Sequence, residues 1–97
     1  MSNLHVVATI PAKPGSENTV RAALTALTEA SRKEDGCVSY DLYESTMAAG
    51  TFVTVEVWTD QHALDAHMKA PHMREAASTF GAHLAAAPGI HPLRPIA

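Results

Sequence analysis

Between Thr51 and Thr59 the chain sets β-branched and aromatic residues on both sides of a strand. Val53, Val55 and Val57 point one way, and Phe52, Glu56 and Trp58 point the other. A strand that is largely apolar on both faces needs both faces covered. A chain of 97 residues makes one domain, read here over 1–97. Such a domain has enough material for one layer of helices, which covers one face. The natural cover for the other is a second copy of the chain, so a homodimer packed through the sheet face is expected.

The remaining segments supply the other layers. Leu4 to Ile10 is β-branched and apolar, closed by Pro11 and the Pro14-Gly15 turn signal. Ser16 is placed to cap a helix on which Val20, Ala23, Leu24, Leu27 and Ala30 share a face. Glu34-Asp35-Gly36 stops it, with Gly36 suited to a left-handed residue. Cys37 to Glu44 reads as a second strand, Ser45 to Gly50 as a loop, and Thr51 to Thr59 as a third strand. Thr59 or Asp60 caps the next helix, which Pro71 interrupts while serving as the first residue of a further one. Met73, Ala76, Ala77, Phe80 and Leu84 form the apolar face of that piece. Ile90 to Ile96, with Pro92 and Pro95, suits an edge strand. The order is β-α-β-β-α-β, which predicts an α+β, ferredoxin-like split βαβ fold with a four-stranded antiparallel sheet and helices on one face.

Composition narrows the function classes. The net charge is −3, from 7 Lys+Arg against 10 Asp+Glu, and there is no basic cluster, which argues against nucleic-acid binding. The one cysteine, Cys37, can form no internal disulfide, and no cysteine-based metal site is possible. The start, Met1-Ser2-Asn3-Leu4-His5, lacks the charged and apolar regions of a signal peptide. No apolar run approaches membrane length, so a cytoplasmic protein without a membrane partner is expected. A glycine-rich phosphate loop, a dinucleotide fingerprint and a Ser-His-Asp arrangement are all missing.

The candidate chemistry lies around the third strand and the helix after it. His67 follows Leu64 and Ala63 at helical spacing and so sits on an apolar stripe. It is either a core histidine bonded to a backbone carbonyl or a general base beside an apolar cavity. His72, just after Pro71, occupies a helix start, where unpaired backbone N–H groups favour an anionic ligand; it is either part of such a site or a solvent-exposed histidine. The two histidines do not have the i, i+4 spacing of a helical zinc pair, and no third ligand is evident, so no metal site is expected. Glu56, inside a β-branched run, must find partners or stay protonated. It serves either in a buried hydrogen bond or in orienting a histidine or a substrate hydroxyl. Trp58 is either core or a flat wall for a planar substrate. Tyr40 and Tyr43 fall on opposite faces of the second strand, so at most one looks into the helix-side pocket; Tyr40, which alternates with Val38 and Leu42, is the favoured one, and Phe80 packs between helix and sheet or lines the pocket.

These segments, in order, resemble the antibiotic biosynthesis monooxygenase family. The likeness rests on Val6-Val7-Ala8-Thr9-Ile10-Pro11-Ala12-Lys13-Pro14-Gly15, on Glu34 to Leu42, on Phe52-Val53 and on Glu56 to Asp60. It continues through Ala63 to His67 and ends at Pro71-His72. Similar proteins are small dimeric α+β barrels that oxidise electron-rich phenols, hydroquinones or anthrone-like polyketides with O₂ and no flavin, haem or metal. The resemblance implies a small aromatic substrate and O₂ as partners, no cofactor, and His67 or His72 as the base. Trp58, Tyr40 and Phe80 would then line the substrate site, with Glu56 orienting. Haem-degrading relatives carry an Asn on the first strand. Leu4 to Ile10 has none and Asn3 lies too early, so that branch is set aside. A cofactor-free isomerase of a phosphorylated autoinducer-type sugar and a non-catalytic binding module are the alternatives.

Overall fold

The first strand, β1 (Leu4–Pro11), buries Val6, Ala8 and Ile10 and turns the intervening residues to the opposite face. It belongs to a computed structural model that describes residues 3–97. Met1 and Ser2, where the amino-terminal segment read above begins, lie outside the described residues. The elements that follow are α1 (Glu17–Ser31), β2 (Cys37–Glu44), β3 (Thr51–Trp58), α2 (Gln61–Met68), α3 (Pro71–Phe80) and β4 (Gly89–Leu93). The strands form one sheet in the order β2-β3-β1-β4, antiparallel throughout. This is the expected α+β, ferredoxin-like arrangement. The sheet is open, with β2 and β4 at its edges, and one chain does not close a barrel. Among the described residues no helix is long and apolar enough to cross a membrane.

The helices lie on the face that carries Phe52, Thr54, Glu56 and Trp58, all buried. One part of the core joins α1 and α3 to the sheet through Val20, Leu24, Leu27, Phe52 and Phe80. The other joins α2 to the sheet end through Val6, Tyr40, Trp58 and Leu64. On the uncovered face Val53 and Val57 are half-buried, while Val55 is 40% and Tyr43 57% exposed.

Several boundaries differ from the sequence expectation. The first helix stops at Ser31, short of Glu34-Asp35-Gly36. There the bonds tighten, with Lys33 N–H reaching the Ala30 carbonyl, and a turn follows in which Glu34 N–H reaches the Ser31 carbonyl at 3.0 Å. Gly36 has the expected positive φ of +84°. Ser16 occupies the cap position but makes no capping bond; its hydroxyl pairs with His83 Nδ1 at 3.1 Å. The third strand ends at Trp58, since Thr59 N–H turns to the Gly36 carbonyl at 2.8 Å. Asp60 is the helix cap, accepting from Ala63 N–H at 2.9 Å. The last strand ends at Leu93, which pairs with His5; β1 begins at Leu4, so little backbone remains for Arg94 to Ile96 to pair with.

Candidate active site

Strand alternation gathers the first part of the site. Thr54, Glu56 and Trp58 share the helix-side face of β3. The Glu56 carboxylate accepts from Thr54 Oγ1 at 2.6 Å and from Trp58 Nε1 at 3.0 Å. A buried carboxylate with two donors is a satisfied group, so Glu56 works as a brace within its own strand. It makes no hydrogen bond to a histidine. Trp58 is fully buried, and His67 lies over it with ring centres 4.6 Å apart and an angle of 38°. The indole therefore supports the imidazole from below and does not line the cavity described next. Tyr40 meets Trp58 edge-on at 6.4 Å and His67 at 5.7 Å.

The second part comes from the helix break and the loop after α1. His67 lies in the last turn of α2, and Pro71 restarts the chain as α3 with His72 in its first turn. The bend brings the two rings to 6.1 Å. Between them stands Glu34, whose Oε2 accepts from His67 Nδ1 at 2.6 Å and from His72 Nε2 at 2.8 Å. Gly36 makes this approach possible. A Cβ there would stand 2.6 Å from the Ala63 side chain on α2, so only glycine lets the loop press against that helix. Glu34 was read from the sequence as part of a helix stop. The signal that could have singled it out is its place in the Glu34–Leu42 segment that carries the family likeness; periodicity offers none, because the residue lies in a loop.

An ionised carboxylate can only accept, so the two ring nitrogens facing Glu34 carry the protons. In the neutral imidazole that tautomer carries its lone pair on His67 Nε2. His67 lines a cavity of about 210 Å³, walled by Ile10, Leu24, Leu27, Met73, Phe80 and Ile90. Its polar lining is Tyr40, Thr54, Glu56 and His67. Of the two histidines only His67 meets this space; His72 borders a separate groove between α1 and α3 with Ala26, Ala30 and Glu75. Burial pushes the Tyr40 phenol well above its usual range, and the Glu56 carboxylate pushes the same way. The Thr54 and Ser31 hydroxyls act weakly against that rise. Ser31 Oγ is itself fully buried without a partner in bonding geometry. Tyr40 is thus a protonated donor at any ordinary pH. Burial also raises the Cys37 thiol, with Glu34 adding to it, so it does not offer a ready thiolate.

The arrangement is a carboxylate–imidazole pair in which the imidazole and a phenol both line an apolar space. Glu34, His67 and His72 each also offer one ligand atom, all within 4.8 Å of one another. The sequence spacing brought no third residue to the two histidines; the fold sets Glu34 beside them.

The chain has relatives among known proteins. Residues 3–79 match the family model described as antibiotic biosynthesis monooxygenase. The Mycobacterium tuberculosis protein Rv0793, named as a candidate monooxygenase, is 41% identical over 71 residues, covering 73% of this chain and 69% of that protein. Its solved structure superposes with a TM-score of 0.90 at 34% identity, over 99% of this chain and 97% of that one. The Pseudomonas aeruginosa protein PA3566 superposes with a TM-score of 0.91 at 32% identity, over 100% and 97% of the two chains. The Bacillus subtilis protein YcnE, also named as a candidate monooxygenase, is 32% identical over 65 residues, covering 67% of this chain and 68% of that protein.

Proposed function

Since this chain belongs to the antibiotic biosynthesis monooxygenase family, we propose that it oxidises an electron-rich phenol, hydroquinone or anthrone-like polyketide with O₂ and without a cofactor. The observation that carries the reading is the Glu34–His67 pair, held through Nδ1 on an imidazole that lines an apolar cavity. Glu34 fixes the tautomer that keeps Nε2 basic and stabilises the imidazolium once it forms. Tyr40 donates toward oxygen anions that develop in the cavity.

For an anthrone-type substrate the steps balance as follows. His67 Nε2 takes a proton from the activated methylene, and the resulting carbanion reduces O₂ and bonds to it through carbon. The imidazolium returns its proton to the outer peroxide oxygen. Loss of water from the hydroperoxide leaves a ketone. One oxygen atom stays in the product and the other leaves in water, and the carbon supplies both electron pairs.

A phosphorylated sugar fits the cavity poorly, since no Lys or Arg lines it, and Arg74 and Lys69 lie outside the lining. A binding module would hold a ligand without turnover. Oxygen uptake by metal-stripped protein over a panel of hydroquinones and anthrones tests the reading. A rate above the autoxidation blank is expected, falling about 10²-fold or more in His67→Ala and at least about tenfold in Glu34→Gln. No uptake with any member of the panel overturns the oxygenase reading. An unchanged rate in His67→Ala removes that residue from the role of base.

A further inference from the structure

We propose that Glu34, His67 and His72 form a binding site for one divalent transition-metal ion of the Zn²⁺ or Co²⁺ class. Two imidazoles and a carboxylate are a common three-ligand set for such ions, which retain water at the open position. The three donor atoms converge from three separate parts of the fold: the loop after α1, the end of α2 and the start of α3. Their surroundings are graded. The His67 side chain is 3% exposed, Glu34 15% and His72 24%, so the site is walled on the Trp58 side and open to solvent on the His72 side. An ion can therefore enter past His72.

The contacts to Glu34 Oε2 are now 2.6 and 2.8 Å, the lengths of hydrogen bonds. Metal at about 2.0–2.1 Å from each donor sets neighbouring ligand atoms about 3.3 Å apart. Side-chain rotation of Glu34 and the part-exposed His72 would set that spacing, and the ion would replace the two ring protons that now bridge the groups.

The site has a consequence for the oxidation reaction, which rests on the reading given above. A neutral His67 bound through Nδ1 carries its proton on Nε2. Nε2, the base of the proposed reaction, then becomes a donor, so the ion and base catalysis exclude each other. The five-residue separation of His67 and His72 does not prevent ligation, because the break at Ala70-Pro71 removes the helical geometry on which a spacing rule depends.

The experiment is a titration of the metal-free, full-length chain with Co²⁺ by visible absorption and with Zn²⁺ by calorimetry, without substrate or O₂. One ion per chain is expected, with the intense visible bands of a low-coordinate Co²⁺ site. Binding should weaken at least tenfold in His72→Ala and in Glu34→Gln. His62→Ala, on the exposed side of α2, should bind as the unmodified chain does. Far-UV circular dichroism checks that each variant is folded. Absence of binding, or binding that His72→Ala and Glu34→Gln leave unchanged, overturns the site. Either result leaves the oxygenase reading to its own test, since turnover takes no part in the measurement.

Discussion

Three side chains set the character of the site at the scale of single residues. In the proposed reaction His67 would do the proton chemistry and Glu34 would hold its tautomer, while Tyr40 carries a proton it does not readily lose. Tyr40 also makes stability depend on pH. Its folded pKa is raised above the ordinary value of 10.0. The stabilisation is therefore fully present below pH 10 and is lost as pH rises toward the folded value. Urea unfolding followed above pH 10 should show stability falling by up to about 1.4 kcal/mol per pH unit from this one group. Tyr40→Phe should remove that part of the slope. Equal slopes in the two proteins would mean that the phenol is not held protonated by the fold.

Among the elements, the site depends on two places where regular structure is interrupted. One is the break between α2 and α3, which turns His72 back toward His67. The other is the loop from Arg32 to Gly36, tied to β2 by Arg32 Nε donating to the Tyr40 carbonyl at 2.8 Å and pressed against α2 at Gly36. Gly36→Ala places a Cβ at positive φ and against Ala63 at once. It should cost about 1–3 kcal/mol in urea unfolding and should lower turnover by drawing Glu34 away from His67. A loss below about 0.5 kcal/mol would show that the loop can shift freely.

For the whole molecule, the unfinished surface is the outer face of the sheet. Val53 and Val57 are half-buried and Val55 and Tyr43 are exposed there, opposite the helical layer. We propose that a second copy covers it, which would complete the barrel that one open sheet leaves unclosed. Sedimentation should give twice the chain mass. Val55→Glu, which sets like charges across such an interface, should give the mass of one chain with its far-UV spectrum intact. A single-chain mass for the unmodified protein at micromolar concentration would contradict the arrangement.

The sequence by itself determined the elements, their order and the inner face of the sheet. Each follows from short-range rules: alternation along Thr51–Trp58, helical spacing from Val20 to Leu27, and the breaks at Gly36 and Pro71. It also brought His67 and His72 forward, because histidine on an apolar stripe or at a helix start is conspicuous in a line of residues. The tertiary structure decided which carboxylate they meet. Glu56 was open to a buried hydrogen bond or to orienting a histidine, and strand geometry turns it to Thr54 and Trp58. Glu34 looked like punctuation at the end of a helix, yet it stands between the histidines. Separations of 33 and 38 residues along the chain carry no local periodicity that could announce the pairing. The fold also divided the histidines, with His67 against the cavity and His72 toward the outer groove, since the direction taken after a proline break is set by what α3 packs against.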